Sequence, residues 1–182
     1  MVQGECKRCG EREKVYMMEK YIGVKELKAK PMMLGEYNKY RGWEMPENEN
    51  PNDEGYLVEY LDGGKPNHPG HTGYISWSPK DVFERAYRKT EGMTFGLAIE
   101  AMKKGAKVAR KGWNGKGMFA VYQKGYPGGI EVNKQTAEVY GVPEGTVMKF
   151  RPYMQLKTAQ NDCAMWAPSG SDALAEDWEI VV

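Results

Sequence analysis

This 182-residue chain has few cysteines and almost no net charge, and each of these features argues against a class of protein. Three cysteines, an odd number, fit a reducing compartment better than a disulfide framework. The 26 basic and 25 acidic residues nearly cancel, which argues against broad binding to nucleic-acid backbones. No apolar run approaches the roughly 20 residues of a membrane span, and the N-terminus lacks an apolar signal segment. These features predict a folded cytoplasmic protein whose anion recognition, if any, is local.

Several enzyme motifs are missing as well. The chain has no G-x-x-x-x-G-K-[ST] phosphate loop, no G-x-S-x-G elbow and no H-E-x-x-H motif. Its two histidines, His68 and His71, share a proline-glycine loop and are either metal ligands or, as we favour, solvated loop residues. Cys6 and Cys9 have the spacing of half a zinc site, which two copies would have to share; the alternative is a polar tail without metal. We expect no metal, no cofactor and no catalytic residue.

Composition and turn residues divide the chain into three zones. Residues 1–17 form a polar tail, residues 18–89 a small α+β module, and residues 93–182 a second domain that follows a short polar break. Alternating aromatic strands and few helices predict antiparallel sheet, packed on a helix in the C-terminal domain. The predicted fold class is therefore α+β for both domains.

Local patterns in the second zone predict its elements. Residues 21–24 are typical of a short strand. Pro31 is typical of the first turn of a helix, which we predict to end at Gly42. The stretches "GYLVEYLDGG" and "GYISWS" predict an antiparallel hairpin. Ser78 and Pro79 then have the pattern of a cap and first position of a second helix.

The third zone opens with Thr94 as the expected cap of a helix that Gly105 ends. Strands are predicted in "KVARKGW", "GMFAVYQ", "TVMKFRPYMQLKT" and "WEIVV", with a short helix in "NKQTAEVYG". Ser169 and Asp172 have capping-box spacing ahead of another short helix.

The stretch "VARKGWNGKGMFAVY", residues 108–122, places a tryptophan and an asparagine in a cationic, glycine-rich turn. Trp113 can stack on a nucleobase, Asn114 can bond a base edge or a ribose, and Arg110 can bind a phosphate. The structural alternative, equally well supported by composition, is that Trp113 closes one end of the core. Both interpretations stay open on these residues alone.

A second cluster, "WAPSGSD", combines Trp166 with two serines and Asp172 at the start of a predicted helix. Small hydroxyls and free backbone amides at a helix N-terminus suit a small anion or a ribose. The alternative is that Ser169 and Asp172 only cap their own helix. Two such clusters within one domain favour a binding site more than either alone.

The motifs G-x-x-V-x-R-x-G-W-N-G-K at 105–116 and W-x-P-S-x-x-D-x-L-x-x-D-W at 166–178 carry a family resemblance. With the framework between them, they make residues 93–182 strongly similar to the phage Thoeris anti-defence proteins of the second type. Residues 18–89 resemble a phage-encoded module that is often fused ahead of that domain. The departure from compact family members is this N-terminal fusion, which puts their assembly in doubt for this chain.

The resemblance implies a sponge for an immune signal in an infected bacterium's cytoplasm. Such proteins bind the cyclic ADP-ribose isomer made by a TIR-domain enzyme and hold it uncleaved, as homotetramers with ligand between protomers. Some relatives also hold cyclic oligonucleotides. By resemblance, Trp113 would stack on the adenine, Asn114 would bond the base or a ribose, and Arg110 would face the pyrophosphate. The opposite wall would be lined by Trp166, Ser169 and Asp172.

Two other functions compete with the sponge. One is a nucleotide-degrading enzyme, which the lack of an evident nucleophile or metal cluster disfavours. The other is a phage structural or nucleic-acid-associated protein in which residues 18–89 do the work, which the near-zero net charge disfavours.

Overall fold

The structure is a computed structural model that describes residues 20–182, together with the backbone of two short strands before them. Those strands, β1 (Gly4–Glu5) and β2 (Arg12–Glu13), pair antiparallel. Cys6 and Cys9, the predicted half zinc site, lie outside the described residues. Among the described residues, no helix is long and apolar enough to cross a membrane.

The N-terminal part is a three-stranded antiparallel sheet with two helices. Its order is β3-β4-β5, and a small core of Tyr37, Leu57 and Ile75 packs the first helix on the sheet. The elements are β3 (Leu27–Pro31), α1 (Leu34–Arg41), β4 (Gly55–Tyr60), β5 (Ile75–Pro79) and α2 (Lys80–Ala86).

Three local predictions in this part were wrong and two were confirmed. Residues 21–24 are not a strand, and Pro31 ends β3 rather than starting α1. Ser78 pairs with Tyr56 in the sheet, so Pro79 becomes the N-cap of α2 without a side-chain hydrogen bond. The β4–β5 hairpin was predicted correctly, as was the end of α1 at Gly42, whose φ of 69° favours glycine.

The C-terminal part is built on a five-stranded antiparallel sheet of order β11-β10-β7-β6-β12. A separate two-stranded sheet pairs β8 with β9. The elements are α3 (Phe95–Lys103), β6 (Lys107–Arg110), β7 (Phe119–Gln123), β8 (Tyr126–Glu131), α4 (Lys134–Tyr140), β9 (Val147–Phe150), β10 (Tyr153–Lys157), β11 (Cys163–Trp166), α5 (Gly170–Ala173) and β12 (Trp178–Val181).

The sheet packs against α3, which gives the α+β class expected from the sequence. The Thr94 hydroxyl caps α3 by accepting from the Leu97 N–H, as predicted. The helix places Ala98 and Met102 in a core that also contains the fully buried Trp178. Trp113 and Trp166 pack against this core, so it lies next to the predicted site residues.

Candidate functional site

The two sequence clusters meet at the carboxylate of Asp172. Arg110 ends β6, and Trp113 lies in the loop that follows. The Arg110 Nη1 and the Trp113 Nε1 both donate to Asp172 Oδ1, at 2.9 Å and 3.1 Å. Residues some 60 positions apart in the chain are therefore joined by one oxygen atom.

The other oxygen of Asp172 closes the capping box predicted for α5. Asp172 Oδ2 accepts from the backbone N–H of Ser169 at 3.1 Å and from its hydroxyl at 2.6 Å. The Ser169 hydroxyl accepts in turn from the Asp172 N–H at 3.1 Å. Asp172 thus receives four hydrogen bonds, which fill the acceptor positions of a carboxylate.

Burial by itself would raise the pKa of Asp172, since its side chain is only 12% exposed. Hydrogen bonds from Ser169, Arg110 and Trp113 outweigh that effect and lower the pKa to about 2. The group therefore stays ionised throughout the physiological range.

Because the pKa of Asp172 is lowered in the folded state, the free energy of unfolding decreases as the pH falls through the acid range. The Asp172 contribution is complete above the ordinary pKa of 3.8 and is lost as the pH falls toward 2. We expect the wild type to lose about 2 kcal/mol more unfolding free energy between pH 5 and pH 2 than Asp172→Asn does. Urea unfolding at stepped pH measures this difference, and parallel curves for the two proteins would contradict it.

Asp177 is a functional neighbour that sequence reasoning missed. Its Oδ1 accepts from Arg110 Nε at 2.8 Å, and its Oδ2 accepts from the Gly112 N–H at 2.9 Å. The Arg110 hydrogen bond lowers the pKa of Asp177, and the two carboxylates raise the pKa of Arg110. The motif W-x-P-S-x-x-D-x-L-x-x-D-W contains Asp177 directly before Trp178, but its contact with Arg110 follows only from the pairing of β12 with β6.

Trp113 partly closes the core and partly faces solvent. Its ring meets Trp166 and Trp178 edge-on, with centroids 5.8 Å and 5.3 Å apart. Trp178 is fully buried, whereas Trp113 and Trp166 are half-buried. The two interpretations of Trp113 are therefore compatible, because one indole both packs on the core and leaves surface available.

Several polar side chains near Trp113 are exposed to solvent. Asn114 and Lys111, its neighbours on the loop, are exposed. The exposed Ser169 and Ser171 place their hydroxyl oxygens 2.9 Å apart. Of the predicted site residues, Arg110, Trp113, Trp166, Ser169 and Asp172 are joined by these hydrogen bonds and ring contacts, while Asn114 extends from the same loop toward solvent.

The described residues contain no group of three or more histidine, cysteine, aspartate or glutamate side chains placed to hold a metal ion. The expectation that His68 and His71 are solvated was wrong: both are half-buried, and their ring nitrogens face Tyr40, Gly70 and Glu59 rather than a common point.

Comparison with known proteins concerns this same region. Residues 93–181 match the profile of the Thoeris anti-defense 2-like domain. The chain is also similar to "Thoeris anti-defense 2" of Bacillus phage SP01, at 38% identity over 92 residues, which cover 49% of this chain and 94% of that relative. The chain belongs to the Thoeris anti-defense 2-like family. Both matches cover about half of the chain, and the family match begins at Met93, after the N-terminal module.

Proposed function

We propose that this protein binds a cyclic ADP-ribose-isomer signal and sequesters it without cleavage, so that bacterial Thoeris immunity is blocked. The observation that carries the proposal is the match to a phage relative named for Thoeris anti-defence over 94% of that relative's length. The site of action would be the cytoplasm of the infected host, and residues 93–182 would be the binding domain. Residues 1–17 and 18–89 would form a tail and a separate module.

The exposed surface at Trp113 suits the flat part of such a ligand. An indole with one side packed on the core is a rigid platform, and stacking of a base on an aromatic ring contributes about 1–3 kcal/mol. Asn114 can donate and accept at the edge of the adenine or at a ribose hydroxyl. We assign base stacking to the exposed side of Trp113, with Trp166 beside it at a right angle, and edge recognition to Asn114.

The saturated carboxylate of Asp172 suggests a different role from ribose binding. Because its acceptor positions are filled by Arg110, Trp113 and Ser169, it has little capacity for a hydroxyl of the ligand. We assign Asp172 and Asp177 to positioning the loop and the turn. Ribose contact falls to the exposed Ser171 hydroxyl, because the neighbouring Ser169 hydroxyl already donates to the Asp172 carboxylate and accepts from the Asp172 N–H. Arg110 donates to both acids and to the Ser171 carbonyl, which leaves it one Nη2 N–H, and we keep it as a pyrophosphate donor together with Lys111.

The same network supports binding over cleavage. A general acid or base works best with a pKa near the working pH, whereas Asp172 has a pKa of about 2 and Asp177 a lowered one. Both carboxylates therefore remain ionised acceptors and do not exchange protons readily near neutral pH. These acids suit a rigid binding wall more than a hydrolytic site.

Assembly into homotetramers is part of the proposal, with ligand between neighbouring protomers. Met165 in the edge strand β11 is 79% exposed and Leu174, the C-cap of α5, is 86% exposed, and a neighbouring protomer would cover such apolar surface. Cyclic oligonucleotides would be a second class of ligand. Light scattering of the full chain tests the tetramer, and a monomer at micromolar concentration would contradict it.

Calorimetry of the full chain with the cyclic ADP-ribose isomer tests the proposal, with linear ADP-ribose as the control ligand. We expect nanomolar affinity for the cyclic form, about −12 kcal/mol, and much weaker binding of the linear one. Equal affinities would contradict recognition of the cyclic signal.

Asn114→Ala tests the assignment of edge recognition. We expect affinity for the cyclic ligand to fall about tenfold, roughly one hydrogen bond, with no change in melting temperature because the residue is exposed. Asn52→Ala, also in an exposed loop but outside the binding domain, is the matched control and should bind as the wild type does. Equal affinity of the two variants would remove Asn114 from the site.

A further inference from the structure

The N-terminal module brings together Tyr40, His71 and Glu59 in a cluster that the proposed sponge function does not use. Tyr40 Oη lies 3.0 Å from His71 Nε2, within hydrogen-bond distance. The buried His71 Nδ1 lies 3.1 Å from Glu59 Oε2, an ion-pair contact without hydrogen-bond geometry. Because the carboxylate favours a proton on Nδ1, Nε2 is left to accept from the Tyr40 hydroxyl. A hydroxyl, a base and an acid therefore lie next to one another in that order.

Glu59 is held in place by the loop that carries His71. Glu59 Oε1 accepts from the N–H groups of Thr72 and Gly73 at 3.0 Å and 3.1 Å. The contacts with His71 and Gly73 lower the pKa of Glu59 to about 2, so it is ionised at neutral pH. Its side chain is 12% exposed and that of His71 is 13% exposed, whereas Tyr40 is 37% exposed. The hydroxyl-bearing residue is the accessible one.

The loop itself is fixed around Tyr40. The Asn67 side chain pairs with the backbone of Ile75 through two hydrogen bonds, at 2.9 Å and 2.8 Å. His68 stacks on the Tyr40 ring, with centroids 4.2 Å apart. Gly70 approaches so closely that a Cβ there would lie 3.1 Å from Tyr40 Oη. The hydroxyl is therefore preorganised, as a reactive group must be.

Two lysines on the edge strand β3 lie on the same face of the sheet. Lys28 pairs with Glu59 across β3 and β4, and Lys30 pairs with Leu57. The two lysine side chains therefore lie on the same face of the sheet as Glu59. Lys30 Nζ lies 5.9 Å from the centroid of the Tyr40 ring. The Lys30 ammonium near the Tyr40 ring, with the exposed Lys28 on the same face of the strand, favours an anionic substrate.

We propose that Tyr40, His71 and Glu59 form an acid–base site in which the Tyr40 hydroxyl is a nucleophile toward an anionic phosphate ester held by Lys28 and Lys30. As Tyr40 Oη bonds to phosphorus, its proton passes to His71 Nε2. The phosphorus–oxygen bond to the leaving alcohol breaks, and that oxygen takes the proton from Nε2. The products are a phosphotyrosine ester and a free alcohol. Glu59 is a positioning residue whose carboxylate, 3.1 Å from His71 Nδ1, favours a proton on that nitrogen.

A fluorophosphonate probe on the full chain tests the activated hydroxyl. The Tyr40 oxygen would displace fluoride at phosphorus, and mass spectrometry of peptides would report the labelling rate of each tyrosine. Tyr74, Tyr126 and Tyr140, which are 45%, 53% and 59% exposed, are internal controls. We expect Tyr40 to react at least tenfold faster than any of them although it is less exposed. Equal or slower labelling of Tyr40 would overturn the proposal.

Two variants separate activation from simple exposure. His71→Gln and Glu59→Gln should each slow Tyr40 labelling at least tenfold without changing labelling of Tyr126, and an unchanged rate in His71→Gln would overturn the proposal. Should either variant fail to fold, the wild-type comparison of Tyr40 with Tyr74, Tyr126 and Tyr140 decides.

Competition with para-nitrophenyl phosphate tests the substrate class. Millimolar amounts should slow Tyr40 labelling severalfold in the wild type and much less in the Lys28→Gln, Lys30→Gln double variant. Labelling that the phosphate ester leaves unchanged would overturn the assignment to phosphate esters. Because this site lies outside residues 93–181, its failure leaves the proposed sponge function untouched.

Discussion

Asp172→Ala is expected to lower the free energy of unfolding by about 3–5 kcal/mol, because it leaves a half-buried cation and an indole N–H without their shared acceptor. It also removes the acid of the capping box at Ser169. Arg110 would keep only Asp177 as a charged partner, and Trp113 would lose the bond that fixes its ring.

Urea unfolding of the wild type and the variant measures this loss. Asp81→Ala is the matched control, since Asp81 is exposed in the first turn of α2, and it should cost less than about 1 kcal/mol. A loss as small for Asp172 as for Asp81 would show that the hydrogen-bonded cluster around Asp172 does not stabilise the domain.

Trp113→Ala is expected to lower affinity for the cyclic ligand at least tenfold, since it removes the proposed stacking platform. The packing of Trp113 on Trp166 and Trp178 adds a second effect, a loss of about 2–3 kcal/mol in stability. Affinity must therefore be measured at a temperature where circular dichroism shows the variant to be folded.

Two further variants separate the effects on affinity and on stability. Trp113→Phe keeps an aromatic face and core contact but loses the N–H bond to Asp172, so we expect it to recover much of the affinity. Trp43→Ala, which removes an indole that is 51% exposed in the N-terminal module, is the matched control and should bind normally. Unchanged affinity in Trp113→Ala would remove Trp113 from the site.

Predictions from the sequence were reliable where the cause of a structure is local. The Thr94 cap and the Ser169–Asp172 capping box depend on atoms within one helical turn, and the structure contains both. Gly42 ends α1 for an equally local reason, a backbone conformation that glycine tolerates best.

Predictions failed where pairing across a sheet outweighed a local signal. Pro31 has the pattern of a helix start, yet as the last residue of an edge strand it can stay in β3 without breaking a central ladder. Ser78 has the pattern of a cap, but it pairs with Tyr56 in the hairpin and leaves the N-cap to Pro79.

The candidate site was predictable as a set of residues but not as a set of contacts. The motifs brought Arg110, Trp113 and Asp172 to attention, whereas nothing local revealed that Arg110 is held by two acids. Those ion pairs depend on β6 and β12 being neighbours in the sheet, which is a property of the whole domain.

The central claim, sequestration without cleavage, is tested most directly by recovering the ligand. The full chain is incubated with the cyclic ADP-ribose isomer, washed and heat-denatured, and the released nucleotide is identified by mass and by its chromatographic retention. We predict the intact cyclic molecule in a fixed ratio to protein. Recovery of linear ADP-ribose or another hydrolysed product would contradict the account and favour a nucleotide-degrading enzyme.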